Sequence, residues 1–319
     1  MPIHLQTPWW LSGAHLETVY PLLRKPLALA MQRERLETPD GDFIDCDWLA
    51  GGPPDAPLVV LFHGLEGSSH SHYARSLMHA VAARGWRGVI PHFRGCSGEA
   101  NRLARAYHSG DSGEIGWIIT QLSVRAGGSP LLVAGVSLGG NALLKWLGEQ
   151  EQAATRQVAA AMAICPPLDL SVSGHALARG FNRIYTRHFL ATLKPKALAK
   201  LERFPGLFER ERLLAARTLY DFDDVYTGPV HGYAGADDYW RRASARPWLR
   251  RIAVPTLLLT AANDPFVPAA ALPSVTECSA TLQHHHTQTG GHVGFVTGPF
   301  PGSLDWLGIC AIDYFSRRV

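Results

Sequence analysis

The ten residues Leu131–Gly140, LLVAGVSLGG, constrain this chain more than any others, because an apolar run stops abruptly at a serine set between two glycines. Leu131, Leu132, Val133 and Ala134 read as a short parallel strand covered on both faces, and Asn141–Glu149 resumes helical spacing. The stretch predicts strand, sharp turn and helix, with Gly135-Val136-Ser137-Leu138-Gly139 in the pattern G-x-S-x-G. A serine on such a turn presents its hydroxyl above the sheet, and small neighbours let the preceding strand come close. The helix start puts N–H groups beside an oxygen that gains negative charge. Five residues alone also fit a plain strand-to-helix loop with a capping serine, so the rest of the chain has to decide.

Buried strands are predicted at Leu58–Phe62, Gly88–Phe93, Val158–Ile164, Thr256–Thr260 and Thr281–Thr287. Helices are predicted from about Ser71, over Ile115–Arg125, after the serine turn, and over Leu304–Phe315. Arg35–Leu49 alternates around Pro39-Asp40-Gly41 as a hairpin does. Strands alternating with amphipathic helices imply an α/β chain, doubly wound about a mostly parallel sheet with helices on both faces. Residues 168 to about 250 change character: helical spacing prevails and no strand candidate appears, which reads as a helical cap inserted between two strands. The expected organisation is one domain over 1–319, with an irregular arm at 1–33 carrying a short helix near Leu22–Arg24.

A serine hydroxyl is a weak nucleophile until an imidazole takes its proton, and the imidazole needs a carboxylate to fix its tautomer. Both should stand on loops that follow later strands. Thr256–Thr260 runs into Ala262-Asn263-Asp264-Pro265-Phe266, and Thr281–Thr287 into Gly290-Gly291-His292-Val293-Gly294. Ser137, Asp264 and His292 thus follow the order serine, acid, histidine, with room for the insertion between the first two. Asp264 alone would pass for a turn residue before proline, and His292 for one loop histidine among 15. After the first buried strand, His63-Gly64-Leu65 lies where a second oxyanion donor belongs, so the N–H groups of Leu65 and Leu138 are the expected oxyanion hole. Glu66 is expected to point to solvent.

Composition narrows the alternatives. The 319 residues carry 46% hydrophobic content and a formal charge of +3 with scattered arginines, which argues against disorder and against a nucleic-acid partner. No run approaches the roughly 18 apolar residues of a membrane span, and the first residues lack the pattern of a secretory signal. Five cysteines without C-x-x-C spacing suggest free thiols and a cytoplasmic location, with Cys96 and Cys165 as packing residues. His70 with His72, and His284–His286, invite a metal reading. Strand alternation, however, sends His284 and His286 to one face and His285 to the other, with no Cys or carboxylate at ligand spacing. Neither a metal nor a cofactor is expected.

The chain resembles the AB hydrolase 4 family of α/β hydrolases, the bacterial YheT-like hydrolases and their eukaryotic acylglycerol lipase and esterase relatives. The resemblance rests on Gly13-Ala14-His15-Leu16-Glu17-Thr18, Pro39-Asp40-Gly41-Asp42-Phe43, His63-Gly64-Leu65-Glu66-Gly67, His92 to Gly98, Tyr107-His108-Ser109-Gly110, Gly135 to Asn141, Phe222-Asp223-Asp224, Asp264-Pro265-Phe266 and Gly291 to Phe295. It implies an α/β-hydrolase fold and a charge relay of Ser137, Asp264 and His292. Departures are few: Glu17 stands where relatives often have Gln, Asn263 where a second Asp is common, and Trp240 for a frequent Tyr. The expected activity is hydrolysis of short to medium acyl esters or acylglycerols through an acyl-enzyme. Phe189, Leu190 and Leu193 are candidate pocket lining. The competing readings are acyl transfer to an alcohol on the same triad and a lipid-binding module without catalysis.

Overall fold

The computed structural model describes residues 4–24 and 28–319; the remainder of the expected arm, 1–3 and 25–27, lies outside the described residues. Eight strands form one sheet: β1 (Met31–Glu37), β2 (Phe43–Leu49), β3 (Leu58–Phe62), β4 (Arg87–Pro91), β5 (Leu131–Val136), β6 (Ala160–Ile164), β7 (Thr256–Ala261) and β8 (Leu282–Thr287). Their order is β1-β2-β4-β3-β5-β6-β7-β8. The hairpin β1–β2 and the β2–β4 pair are antiparallel, and every other pairing is parallel. Strands β3, β5 and β6 are buried throughout, because crossover helices cover both faces.

Period-two alternation sorts the apolar side chains into two layers. Val59, Leu61, Leu132 and Ala134 pack with α2 (His72–Ala83) and α11 (Asp305–Ser316) on one face. Leu58, Val60, Phe62, Leu131 and Val133 pack with α3 (Ser112–Ala126) and α4 (Leu138–Gln150) on the other. Each such side chain contributes about 1.5–3 kcal/mol on burial, so these layers rather than the exposed strand β1 carry the stability. Helix α3 starts where Asp111 accepts from Glu114 N–H and ends at Gly127 in the left-handed conformation, as the cap rules require.

The first residues are more ordered than their composition suggests. A helix, α1 (Ala14–Val19), and a 3₁₀ turn (Tyr20–Leu23) replace the short helix expected at Leu22–Arg24, and Gly13 N–H donates to Glu17 Oε1 at 3.3 Å to open α1. Between β6 and β7 the chain is helical throughout: α5 (Leu170–Leu177), α6 (Arg183–Arg203), α7 (Arg210–Ala215), α8 (Leu219–Phe222), a π-helical turn (Asp223–Thr227), α9 (Gly228–Val230) and α10 (Ala236–Ala243). This stretch holds an apolar cluster of its own, with Leu190, Ala197, Leu213, Phe222 and Tyr226. Helix α6 is fastened to the loop after β4, where Lys200 Nζ donates to Asn101 Oδ1 at 2.6 Å and Arg203 donates to Asn101 O at 2.8 Å. No helix among the described residues is long and apolar enough to cross a membrane.

Candidate active site

Ser137 sits between β5 and α4 at φ 51°, a strained conformation for a residue with a side chain. The neighbouring glycines permit it. A Cβ at Gly139 would stand 2.5 Å from His63 O and 2.6 Å from Phe62 O, and one at Gly135 would stand 2.6 Å from Gly139 O. Without side chains there, α4 begins directly against the ends of β5 and β3, and the loop carrying Leu65 comes beside Leu138. Ser137 N–H donates to Ile164 O at 2.8 Å, which ties the turn to β6 as well.

The three residues predicted from strand order meet at the carboxyl edge of the sheet. His292 Nε2 lies 3.0 Å from Ser137 Oγ, and His292 Nδ1 lies 2.9 Å from Asp264 Oδ2. Asp264 accepts at Oδ1 from the N–H groups of Phe266 and Val267 at 2.8 and 3.2 Å, which leaves Oδ2 aimed at the imidazole. That arrangement assigns the Nδ1–H tautomer to His292 and leaves Nε2 to accept from the serine hydroxyl. Phe266 stacks on the imidazole at 4.2 Å between centroids. The Asp264 side chain is 1% exposed and that of His292 11%, a dry chain with one end open.

Helix α1 holds this loop pair from behind, a role invisible in the sequence. Glu17 Oε2 accepts from Gly290 N–H at 2.5 Å and from Asn263 Nδ2 at 3.0 Å, and Asn263 Oδ1 accepts from Gly291 N–H at 2.9 Å. Thr18 Oγ1 accepts from His292 N–H at 2.9 Å. The two departures at Glu17 and Asn263 are therefore hydrogen-bonded to each other. They brace the loops of Asp264 and His292 without touching the reacting atoms.

Two tyrosines flank the expected oxyanion donor. Gly64 N–H donates to Tyr73 Oη at 2.8 Å and Glu66 N–H donates to Tyr107 Oη at 2.9 Å. Leu65 N–H, between them, has no acceptor among the described residues, and neither has Leu138 N–H at the first position of α4. Both are free to take an oxyanion. Glu66 does not point to solvent as expected: its carboxylate accepts from Tyr107 Oη at 2.8 Å and pairs with Lys196 of α6 at 2.8 Å. Those two partners hold it against the loop, where Glu66 has a positive φ of 55°. Tyr107, whose own ring stacks on Phe93 at 5.4 Å, was legible only as part of a motif.

The remaining histidines are structural. Burial pushes His63 down to about 3, its Nδ1 donates to Gly64 O and its Nε2 accepts from Phe93 N–H. His72 Nε2 bonds Val293 O, and His284 and His286 share Thr260 Oγ1 at 2.7 and 2.8 Å from one face of β8, as alternation predicted. Among the described residues one trio brings metal-ligating atoms within 4.8 Å: Cys165, Asp264 and His292. Burial raises the Cys165 thiol well above its ordinary pKa, and Asp264 already holds the imidazole, so the donor set suits a hydrogen-bond relay better than a cation.

Ser137, Leu138, Leu65 and His292 open into a cavity of about 610 Å³. Leu170, Leu177, Phe189, Leu193 and Phe266 supply much of its wall. Leu190, expected alongside them, is not part of the wall: it is buried in the cluster with Leu213, Phe222 and Tyr226, against which Leu193 also packs. The cavity has the size and character of a site for a small, largely apolar molecule.

Comparison with known proteins agrees with this geometry. Residues 57–299 match the family described as the alpha/beta hydrolase fold. YheT of Escherichia coli (strain K12), named as a candidate esterase, is 40% identical over 302 residues, covering 93% of this chain and 88% of that protein. The phospholipase ABHD3 of Mus musculus is 27% identical over 310 residues, covering 94% and 75%. Among solved structures, the Pyrococcus furiosus esterase Pf2001 superposes with a TM-score of 0.56 at 14% identity over 100% of this chain and 99% of that one, a likeness of fold. Sheet order, serine turn and sequence together show that the chain belongs to the α/β hydrolase family, alongside the YheT-like bacterial hydrolases.

Proposed function

We propose that the protein hydrolyses carboxylic esters, short to medium acyl esters or acylglycerols, through a covalent intermediate on Ser137. The observation that carries this reading is the hydrogen-bonded chain Ser137–His292–Asp264 at the floor of an apolar cavity, facing two unpartnered N–H groups. Ser137 Oγ attacks the ester carbonyl as its proton passes to His292 Nε2, and Asp264 stabilises the imidazolium. The oxyanion rests on Leu65 and Leu138 N–H, each such donor being worth about 3 kcal/mol in the transition state. Collapse expels the alcohol, which takes the proton from His292. Water then attacks the acyl-enzyme, with His292 as base, and returns the hydroxyl to Ser137.

The names of the relatives, an esterase and a phospholipase, agree with an ester substrate. In this reading residues 1–319 make one domain with an arm at 1–33, the helices of 168–250 act as its cap, and α1 of the arm braces the loops of Asp264 and His292. Five free cysteines fit a cytoplasmic setting. Acyl transfer to an alcohol is a second outcome of the same acyl-enzyme, favoured by the apolar lining that an alcohol enters more readily than water.

The test is intact mass after incubation with a serine-reactive fluorophosphonate, then peptide mapping, beside a p-nitrophenyl ester series from acetate to palmitate. One adduct on Ser137 and a peak in the chain-length profile are expected. Folded protein that takes no label and turns over no ester would refute the reading. Adding ethanol and analysing products separates transfer from hydrolysis.

A further inference from the structure

The helical wall of the cavity holds a carboxyl that the proposed chemistry leaves unused. Asp223 opens the π-helical turn Asp223–Thr227, a widened turn of a kind that recurs at functional sites. It lines the same cavity as Ser137 and His292. Protein packs around the carboxyl closely enough for burial to raise its pKa to about 6, yet part of the side chain remains accessible. The accessible part faces the cavity. Trp240 Nε1 donates to Oδ2 at 2.7 Å, and the Thr227 hydroxyl adds a second bond.

No cation pairs with Asp223 among the described residues, which sets it apart from the other carboxylates that line the cavity. Glu66 is held by Tyr107 and Lys196, and Glu99 by Arg35. A carboxyl offers about four acceptor positions, so Asp223 keeps unused capacity in surroundings where unmet polar groups are unfavourable. A second group nearby is in the same condition. The Ser173 hydroxyl, on α5 and on the same wall, is buried without a hydrogen-bond partner. Trp240 spans the two: its Nε1 holds Asp223 while its far ring edge packs on Gly174, where a Cβ would stand 2.5 Å from Cη2. Leu170, Leu177, Leu219 and Phe222 surround them with apolar surface.

Resting on the ester-hydrolase reading, we propose that Asp223, with Ser173 and Thr227, forms a polar subsite that binds a hydroxyl group of the substrate remote from the scissile carbonyl. The hydroxyl donates to the Asp223 carboxyl, and the Ser173 hydroxyl offers a further partner along the same wall, so hydroxylated esters are selected over plain alkyl ones. A neutral donor fits better than an ammonium group. Lys200 and Arg203, bonded only to amide and carbonyl oxygens among the described residues, line the same cavity and oppose a cationic substrate.

The experiment compares kcat/KM within two matched ester pairs. Glyceryl monobutyrate against methyl butyrate puts the hydroxyl in the alcohol part, and p-nitrophenyl 3-hydroxybutyrate against p-nitrophenyl butyrate puts it in the acyl part. The wild type should prefer the hydroxylated member of one pair by about tenfold or more. Asp223→Leu should bring that ratio close to one and Asp223→Asn lower it only in part, a graded order that mere packing would not give. Ser173→Ala supplies an independent variant should Asp223→Leu fail to fold. Calorimetric binding of the same esters to Ser137→Ala reads the subsite without turnover, while fluorophosphonate labelling of wild type reads the ester-hydrolase reading separately. Equal binding of both members of each pair to Ser137→Ala, a ratio unmoved by Asp223→Leu, or a preference for a trimethylammonium ester would overturn the proposal.

Discussion

The loops at the carboxyl edge of the sheet and the helices that face them across the cavity treat buried polar groups in opposite ways. At the sheet edge Asp42, Asp47 and Asp264 are each held by several donors. Burial alone would raise Asp42, but Asn101 and the N–H groups of Arg102, Leu103 and Phe43 outweigh it and hold the pKa at about 2. Asp47 would likewise rise with burial, but bonds from His92, Arg33 and Ser69 hold it far below the usual carboxylate range. Asp264 is fixed by two N–H groups and His292. Across the cavity, among the described residues, Asp223 has a tryptophan and a threonine as partners and Ser173 has none. Saturated groups position atoms for chemistry and tolerate no exchange. Unsaturated ones leave room for a ligand to complete them, so changes in the helices should alter choice of substrate where changes at the sheet edge stop the reaction.

The sharpest break between the two regions is Ser137→Ala. Ester turnover should fall by about 10⁴-fold or more with the fold intact, measured by p-nitrophenyl butyrate hydrolysis beside circular dichroism. Gly139→Ala tests the backbone half of the same claim. The added Cβ meets two carbonyl oxygens of the β3 end, and a loss of about 3 kcal/mol in denaturant unfolding is expected. A variant as stable as wild type would show that the turn has slack.

Tyr107→Phe releases Glu66 N–H and leaves its carboxylate to Lys196 alone, while keeping the ring stacked on Phe93. A drop of about 10- to 100-fold in kcat with little change in KM would mark Tyr107 as a positioning residue for Leu65 N–H. A change confined to KM would count against that.

The contrast between saturated and unsaturated carboxyls also has a pH signature. The folded pKa of Asp223 is raised to about 6, so as pH climbs from about 4 to 6 the unfolded chain releases its proton first and stability falls. For Asp42 and Asp47, depressed on folding, stability is instead lost as pH drops below about 4. Asp223→Asn should therefore gain on wild type by about 1–3 kcal/mol between pH 4 and pH 8 in chemical denaturation, allowing for its open face. A difference independent of pH would contradict an unpaired buried acid. The smallest effect is expected from Leu193→Ala, which enlarges the cavity wall: the chain-length optimum should move to longer acyl groups, with changes of about tenfold or less at each length.

The positions of strands and helices along the chain were legible because they follow from local pattern. The fully buried runs of β3, β5 and β6 read as two-face strands, and the ends of α3 carry their own cap residues. The meeting of Ser137, His292 and Asp264 was legible because each follows a strand, so that order along the chain translates into one edge of the sheet. Other features were out of reach. Glu17 bonds Gly290 across 273 residues, and its partner Asn263 looks like any turn residue. Glu66 reads as a solvated charge until Tyr107 and Lys196 are seen on either side of it.

By itself, then, the sequence determined the α/β class, the serine turn and the order of the three groups, since hydrophobic period and glycine placement act over a few residues. Only the tertiary structure decided that α1 braces the triad loops and that tyrosine hydroxyls occupy the N–H groups beside Leu65. It alone also decided that Asp223 faces the cavity without a cation. Hydrogen-bond partners are chosen by which loops packing brings within about 3 Å, and local pattern carries no record of that distance.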